Sequence, residues 1–257
     1  MSFLKNFIET GNELFEKINS LVFKEERTGY TGMGADGTLT SRLDKLCEDA
    51  IINRVEELDL PFNIVSEEVG MMDRKYQKNL VIDPLDGTYN AENQIPAYSM
   101  SVAIMENNFD TLQEALVFNL ATKNYFYAEK GKGAYRNQTK LEKTTQRTGA
   151  SVIYSLRGEN VPDFLREGIN RRRILGCASL EMGFVSNNSI DYVAYIGKEK
   201  ELRNVDIAAG VLLVRETGGF VLDQNLKPLN MNLDVRERKN MIALSAAYEN
   251  TLKEAIK

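Results

Sequence analysis

Two aspartates follow a short apolar run in the segment VIDPLDGTYN, residues 81–90. Asp83 and Asp86 lie three positions apart, with Pro84 between them and Gly87 directly after the second. Residues three apart on a regular strand point to opposite faces. Because proline fixes φ at about −65° and glycine relieves crowding, we expect the chain to turn as it leaves the sheet, so that both carboxylates converge.

Two converging carboxylates would form a cation site. They repel each other and raise each other's pKa unless a positive charge lies between them. The sequence contains no histidine and no Cys-x-x-Cys pair, so we expect ligands that are all oxygen atoms, which suit Mg²⁺ or Mn²⁺. The lack of histidine also excludes Ser–His and Cys–His catalysis and a phosphohistidine intermediate.

Further acidic residues lie at the end of a predicted strand and at the start of a predicted helix. Glu67 and Glu68 follow the apolar residues 63–65, and Asp206 precedes the apolar helical segment 207–214. Each feature alone also has an ordinary structural interpretation, as a solvated strand end, as an N-cap, or, for Asp86-Gly87, as a turn. Together they predict a divalent-metal enzyme whose site lies between two halves of the chain.

Hydrophobic periodicity predicts the elements that position these groups. A helix is predicted over 2–24, a glycine-rich mobile loop over 27–40 and a second helix over 41–59. Several of the following short strands alternate apolar and polar residues, as in an antiparallel sheet. These strands are predicted over 63–68, 80–84, 98–106, 114–121, 124–130 and 133–137.

The second half of the sequence alternates between strands and helices. A polar, threonine-rich stretch over 138–150 predicts a boundary, with an N-terminal α+β half at 1–148 and a C-terminal α/β half at 149–257. Strands are predicted over 151–156, 172–176, 191–197, 219–223 and 240–246. Helices are predicted over 162–170, 179–188 and 206–218 and at the end of the chain.

Composition indicates an ordinary globular protein. The chain has 257 residues, of which 43% are hydrophobic and 27% charged, enough for one large core or two small domains. A net charge of −5 argues against a general nucleic-acid or membrane-surface partner. Neither a membrane-spanning run nor a signal peptide is recognisable, so we expect a cytoplasmic protein. Cys47 and Cys177 are expected to be reduced, buried thiols.

The ordered set of motifs resembles the inositol monophosphatase / fructose-1,6-bisphosphatase family of Mg²⁺-dependent, lithium-sensitive sugar phosphatases. The resemblance spans nearly the whole chain, and the valine before Asp206 is similar to archaeal members, which often accept both inositol-1-phosphate and fructose-1,6-bisphosphate. The motifs that carry it are Glu67-Glu68, Asp83-Pro84-Leu85-Asp86-Gly87-Thr88, Gly131-Lys132-Gly133-Ala134-Tyr135, Val205-Asp206-Ile207-Ala208-Ala209-Gly210 and Glu216-Thr217-Gly218-Gly219.

The resemblance implies a mixed fold, α/β (α+β), arranged as a layered α/β/α/β/α sandwich. It also implies two or three Mg²⁺ ions per active site, with Mn²⁺ as a possible substitute. Glu67, Asp83 and the Leu85 carbonyl would hold the first ion. The second would bind Asp83, Asp86 and Asp206, and Glu67 would also face a third ion near the glycine loop. Glu67, Asp44 and Thr88 would be the catalytic residues, the last two by orienting the attacking water. A homodimer is expected from the family.

The implied substrate is a small phosphorylated sugar or polyol. Asp86, Asp206 and the segment Gly176-Cys177-Ala178-Ser179 would contact it, and the backbone N–H groups of Gly87 and Thr88 would bind its phosphate. The basic groups Arg171-Arg172-Arg173, Lys198, Lys200 and Arg203 are either solvated or bind a second phosphate, for which Arg173 and Arg203 are the candidates. Glu181 lies close in sequence to the sugar-lining segment, but a position on the solvent-exposed surface of the predicted helix fits the sequence equally well. Residues 89–94 depart from the family pattern, and this departure leaves open the shape of the accepted substrate or the contacts of the dimer.

Two other functions stay open. One is a phosphatase of 3′-phosphoadenosine 5′-phosphate or NADP, although those relatives are usually longer. The other is a non-catalytic regulatory protein, which would be expected to have lost metal ligands, whereas every expected ligand is present here.

Overall fold

A short hairpin occupies the segment in which the sequence predicted a loop. The structure is a computed structural model that describes residues 4–154, 161–167, 170–197 and 201–256. Helix α1 (Leu4–Ser20) is followed by the short α2 (Lys24–Arg27), and β1 (Tyr30–Met33) then pairs antiparallel with β2 (Leu39–Ser41) ahead of α3 (Arg42–Glu57). The loop prediction was therefore wrong for residues 30–33 and 39–40, where the glycine-rich turn between them folds the chain back into paired strands.

An eight-stranded sheet forms the centre of the N-terminal part. Its only parallel pair is β3 with β5, and its other neighbours are antiparallel, as the alternating sequence predicts. In spatial order the strands are β10 (Thr139–Lys140), β9 (Gly133–Arg136), β8 (Tyr125–Glu129), β7 (Glu114–Asn119), β6 (Ser99–Met105), β5 (Asn79–Asp86), β3 (Asn63–Ser66) and β4 (Gly70–Met72). The five-residue helix α4 (Thr88–Glu92) begins where β5 ends.

A five-stranded mixed sheet forms the C-terminal part. Strand β11 is parallel to β12 and β13, whereas β15 is antiparallel to β13 and β14. The spatial order is β12 (Arg171–Arg173), β11 (Ala150–Tyr154), β13 (Tyr192–Tyr195), β15 (Met241–Leu244) and β14 (Phe220–Leu222).

The helix predicted over 162–170 was wrong in the described part of that segment. A 3₁₀ turn, Asp163–Leu165, stands there instead, because the Leu165 and Arg166 N–H groups donate to carbonyls three residues back, those of Pro162 and Asp163. Several predicted residues lie outside the described ones: 2–3 of the first predicted helix, 155–156 of a predicted strand, 168–169 of this helix, Lys198 and Lys200.

Helices and sheets alternate in five layers. Helices α1 and α3 cover one face of the first sheet, and α5 (Ala178–Ser186) and α6 (Asn204–Glu216) fill the space between the two sheets. The short C-terminal α7 (Glu249–Ala255) packs with Tyr248 on the outer face of the second sheet. This order confirms the layered sandwich that the sequence predicts.

The two sheets draw their strands from separate parts of the sequence, residues 63–140 and 150–244. Helix α6 nevertheless packs in one core with side chains of both sheets. The division of the chain at residue 148 therefore stays a prediction. In the described ranges, the helices all lack the combination of length and apolar character that crossing a membrane requires.

Candidate metal centre

A β-bulge brings the two aspartates of β5 to the same cleft. Asp83 is opposite Ser101 and Asp86 is opposite Ser99 on β6, so three steps along β5 match two steps along its neighbour. The extra residue turns both carboxylates to one side of the strand. The sequence predicted this convergence but attributed it to a turn after a strand ending at Pro84, whereas the strand continues through Asp86.

Gly87 ends the strand in a backbone conformation that favours glycine. Its φ is +88°, and a Cβ at this position would lie 2.8 Å from the Ala97 carbonyl oxygen and 3.2 Å from that of Gly176. Both constraints exclude a larger residue. The chain therefore reverses at Gly87, so that Thr88 opens α4 beside the end of the strand.

Asp44 is oriented by reciprocal capping at the start of α3. Its backbone N–H donates to Ser41 Oγ over 3.1 Å, and its Oδ2 accepts from the Ser41 N–H over 3.3 Å. The other oxygen, Oδ1, lies 2.8 Å from Thr88 Oγ1, which is also 3.1 Å from the Leu85 carbonyl oxygen. This chain of contacts ties α3 to the bulged end of β5.

Glu67 and Glu68 follow β3 directly and bring their carboxylates to Asp44. One oxygen from each of these three residues lies within 4.8 Å of the others. The hairpin covers this cluster, because the Asp36 N–H donates to the Glu67 carbonyl over 3.2 Å and the Thr40 hydroxyl donates to the Glu68 carboxylate. The end of β3 is thus a concentrated set of carboxylate oxygens.

Arg203 connects the hairpin, β3 and α6. Its Nη2 lies 2.8 Å from Asp206 Oδ1, while its Nη1 forms ion pairs with Glu67 and Asp36. Asp206, in the first turn of α6, returns a capping interaction by accepting from the Arg203 N–H over 2.7 Å. Asp206 is therefore both a helix cap and a member of the acidic site, two interpretations that the sequence had left as alternatives.

Cys177 and Ser179 lie behind Asp86. The Ser179 N–H and hydroxyl donate to Asp86 Oδ2 over 2.7 and 2.6 Å, and Cys177 Sγ is 3.3 Å from the same oxygen. Both side chains are fully buried, as is Cys47. The start of α5 thus fixes the orientation of the Asp86 carboxylate.

The carboxylates of the site share a strongly acidic, buried environment. Burial raises the pKa of Asp83 well above its usual range, and repulsion from Glu67 and Asp86 adds to the effect. Burial likewise raises the pKa of Glu67, against the lowering effect of Arg203, and raises that of Asp86 to about 6. Arg203 and the more exposed Arg238 are outnumbered by the carboxylates of the cleft. The excess of acidic oxygen ligands fits a hard divalent cation.

These groups line one cleft of about 610 Å³. It brings together most of the site residues that the sequence predicts, namely Asp44, Glu67, Asp83, Leu85, Asp86, Gly87, Thr88, Ala178, Arg203 and Asp206. Arg173 is not among the residues that line the cleft and lies exposed on β12. Its role in binding substrate stays a prediction.

Sequence reasoning missed several groups of the site. Asp36 binds Arg203, and Arg238 lines the cleft; the only sequence signal for Asp36 was an acidic residue in a glycine-rich turn. Glu181 is fully buried, so the helix-surface interpretation was wrong. Its carboxylate accepts from the Leu175 N–H over 2.6 Å and from the Tyr195 hydroxyl, and burial raises its pKa to about 7.

Comparisons with known proteins agree with this geometry. Residues 4–256 match the profile of the inositol monophosphatase family. The chain is 33% identical over 252 residues to a fructose-1,6-bisphosphatase/inositol-1-monophosphatase of Thermococcus kodakarensis, covering 97% of this chain and 95% of that one. It is also 30% identical over 270 residues to a bifunctional NADP phosphatase/NAD kinase of Methanococcus maripaludis, covering 94% of this chain but 47% of that protein.

A solved structure gives the same result for the fold. The crystal structure of an inositol monophosphatase–fructose 1,6-bisphosphatase superimposes with a TM-score of 0.86 at 27% sequence identity. The match covers 100% of both chains. The five-layer arrangement is therefore shared over the full length.

Proposed function

This chain belongs to the inositol monophosphatase family, and we propose that it is a Mg²⁺-dependent phosphomonoesterase acting on inositol-1-phosphate, fructose-1,6-bisphosphate or both. The observation that carries the proposal is the convergence of Glu67, Asp83, Asp86 and Asp206 on one cleft. Glu67 directly follows β3, Asp83 and Asp86 lie on β5, and Asp206 lies in the first turn of α6. Their oxygen atoms suit Mg²⁺.

The metal ligands divide into two overlapping sets. Glu67, Asp83 and the Leu85 carbonyl would hold one ion, and Asp83, Asp86 and Asp206 a second, with Glu67 also facing a third. Bound cations supply charge neutralisation of the phosphate and a water of lowered pKa. Ser179 and Cys177 keep the Asp86 carboxylate in one orientation, which supports a preformed ligand set.

Thr88 and Asp44 would handle the proton of the attacking water. While the Thr88 hydroxyl donates to Asp44 Oδ1, its oxygen can still accept a hydrogen bond from water. The attacking water would transfer a proton to the Thr88 oxygen, and the proton of the Thr88 hydroxyl would pass to Asp44 Oδ1. Burial raises the pKa of Asp44, which favours its taking the proton.

The phosphate would lie against the start of α4. There the backbone N–H groups of Gly87 and Thr88 precede the first helical hydrogen bonds. Unpaired N–H groups at a helix start are suitable donors to phosphate oxygens.

The substrate is a small phosphorylated sugar or polyol in this proposal. The names of the Thermococcus relative and of the solved structure support inositol-1-phosphate and fructose-1,6-bisphosphate. The similarity to the NADP phosphatase/NAD kinase supports NADP as a second candidate. A homodimer and a cytoplasmic location belong to the same proposal.

Phosphate release with and without Mg²⁺ tests the function. The substrates are inositol-1-phosphate, fructose-1,6-bisphosphate, NADP and 3′-phosphoadenosine 5′-phosphate. We expect Mg²⁺-dependent release from at least one of the first two, lost in Asp86→Asn and retained in the control Asp59→Asn, whose side chain is 91% exposed. Release only from a nucleotide would replace the substrate but keep the mechanism. No release from any substrate would favour a regulatory protein.

A further inference from the structure

Two arginines line the cleft among the described residues, and their surroundings differ. The Arg203 guanidinium is engaged by three carboxylates, those of Asp36, Glu67 and Asp206. Its side chain is only 15% exposed. Arg203 therefore neutralises acidic groups of the protein, and its donors point at those groups rather than into open space.

Arg238 has weaker contacts and greater exposure. Its Nη2 lies 3.7 Å from Asp36 Oδ2, beyond hydrogen-bond distance, and its Nη1 donates to the Glu201 carbonyl over 3.3 Å. The side chain is 37% exposed. Since a guanidinium carries five N–H donors, Arg238 retains donors that can reach a ligand in the cleft.

The backbone holds Arg238 at the edge of the cleft. Its neighbour Lys239 exchanges two backbone hydrogen bonds with Leu202, of 2.8 and 3.1 Å. Leu202 itself lines the cleft beside Arg203. The position of Arg238 relative to the metal ligands is thus set by a bridge between two segments and does not depend on a free loop end.

We propose that Arg238 is a specificity-determining residue that binds a second anionic group of the substrate, so that the cleft distinguishes bisphosphates from monophosphates. The inference rests on the proposed function, in which the first phosphate is bound at the metal centre. A planar guanidinium binds phosphate oxygens through paired hydrogen bonds. The sequence had offered Arg173 and Arg203 for this role, but the exposed donors in the cleft belong to Arg238.

The kinetic test compares fructose-1,6-bisphosphate with inositol-1-phosphate. Arg238→Ala is expected to raise KM for the bisphosphate about tenfold or more, with kcat little changed. KM for inositol-1-phosphate should change by less than about twofold. Arg238→Lys keeps the charge but loses the paired donors, and we expect an intermediate KM.

Arg236 offers a matched control two positions away. It also contacts the hairpin, donating from Nε to the Ala35 carbonyl over 3.1 Å, but it is not among the residues that line the cleft. Arg236→Ala should leave both KM values unchanged. An equal rise of KM for both substrates in Arg238→Ala, or no rise for either, would overturn the proposal.

A binding measurement separates this proposal from the proposed function. Both ligands are titrated calorimetrically, with Mg²⁺ present, into Thr88→Val and into Thr88→Val carrying Arg238→Ala, since Thr88→Val is expected to slow turnover with little change in KM. A wild-type protein that releases phosphate from none of the four substrates would refute the proposed function. Selective weakening of bisphosphate binding by Arg238→Ala would still support the role of Arg238, whereas equal binding, or no bisphosphate binding, would refute it.

Discussion

Thr88 Oγ1 lies 2.8 Å from Asp44 Oδ1, which joins the start of α4 to the first turn of α3. The other Asp44 oxygen is held by the Ser41 N–H, so this contact has a fixed direction. The Thr88 hydroxyl therefore donates to a buried carboxylate that is already held in place.

Replacing Thr88 by valine removes the hydroxyl and keeps the shape of the side chain. We expect kcat to fall by about 10²-fold or more, because general-base assistance is lost, while KM changes little. Thr88→Ser retains the hydroxyl and should keep most of the activity. Steady-state kinetics at saturating Mg²⁺ would measure this; a valine variant with normal kcat would remove Thr88 from the catalytic step.

Arg203→Met leaves three acidic partners without their counter-ion. In EDTA we expect the free energy of unfolding to fall by about 3–5 kcal/mol, the usual cost of breaking a buried ion pair. Added Mg²⁺ should raise the melting temperature more in this variant than in wild type, because cation binding stabilises the folded state. Calorimetric melting with EDTA and with Mg²⁺ measures both effects.

Arg54→Met is the control for Arg203→Met. Arg54 pairs with Glu13, whose side chain is 65% exposed, and exposed pairs contribute about 1 kcal/mol or less. Equal destabilisation of the two variants in EDTA would mean that Arg203 does not compensate the acidic cluster.

Gly87→Ala should both destabilise the protein and impair catalysis. Gly87 and Gly131 both have positive φ, +88° and +76°, but a Cβ on Gly131 meets no atom within 4 Å. Gly131→Ala therefore measures the conformational cost alone, about 1–2 kcal/mol. Gly87→Ala adds the contact with the Ala97 carbonyl, and we expect a total of about 3 kcal/mol or more in urea unfolding. Equal losses in the two variants would show that the close approach has no cost.

Glu181 should make stability depend on pH. Burial raises its pKa to about 7 in the folded protein, against about 4.3 in an unfolded chain. The folded state therefore binds more protons between these values, and its stability falls as pH rises from about 4 to 7, by up to about 3 kcal/mol. In Glu181→Gln this contribution is absent, so its stability should fall less over the same range.

Urea midpoints of wild type and Glu181→Gln at pH 5 and pH 8 test this difference. The carboxylates of the metal centre titrate in both proteins, so most of their contribution is common to the two profiles. Parallel pH profiles would show that burial does not raise the pKa of Glu181 in the folded protein.

The sequence predicted the parts of the site that depend on local patterns. Asp83 and Asp86 follow a continuous apolar run, and Asp206 opens a long apolar helix, so a strand end and a helix start were recognisable. The bulge in β5 was not, since it is defined only by the register with β6. Nor could a local pattern show that the hairpin docks on β3.

The roles of Arg203 and Glu181 depend on packing over long sequence distances. The sequence offered Arg203 as a solvated group or as a candidate for binding a second phosphate. Its ion pairs were not foreseen, because its partners Asp36 and Glu67 lie far away in sequence. Helix α5 is apolar on nearly all sides, as it lies between two sheets. Its hydrophobic pattern therefore could not tell which side carries Glu181, and only the structure shows its contact with Tyr195.

The order of charges along the chain has a consequence for biosynthesis. Ribosomes release the N-terminus first, so the carboxylates of Asp44, Glu67, Asp83 and Asp86 all emerge before Arg203 is translated. A nascent chain that has completed its first sheet would hold these groups without their arginine. A divalent cation bound there would supply positive charge that the chain itself supplies only once Arg203 has been made.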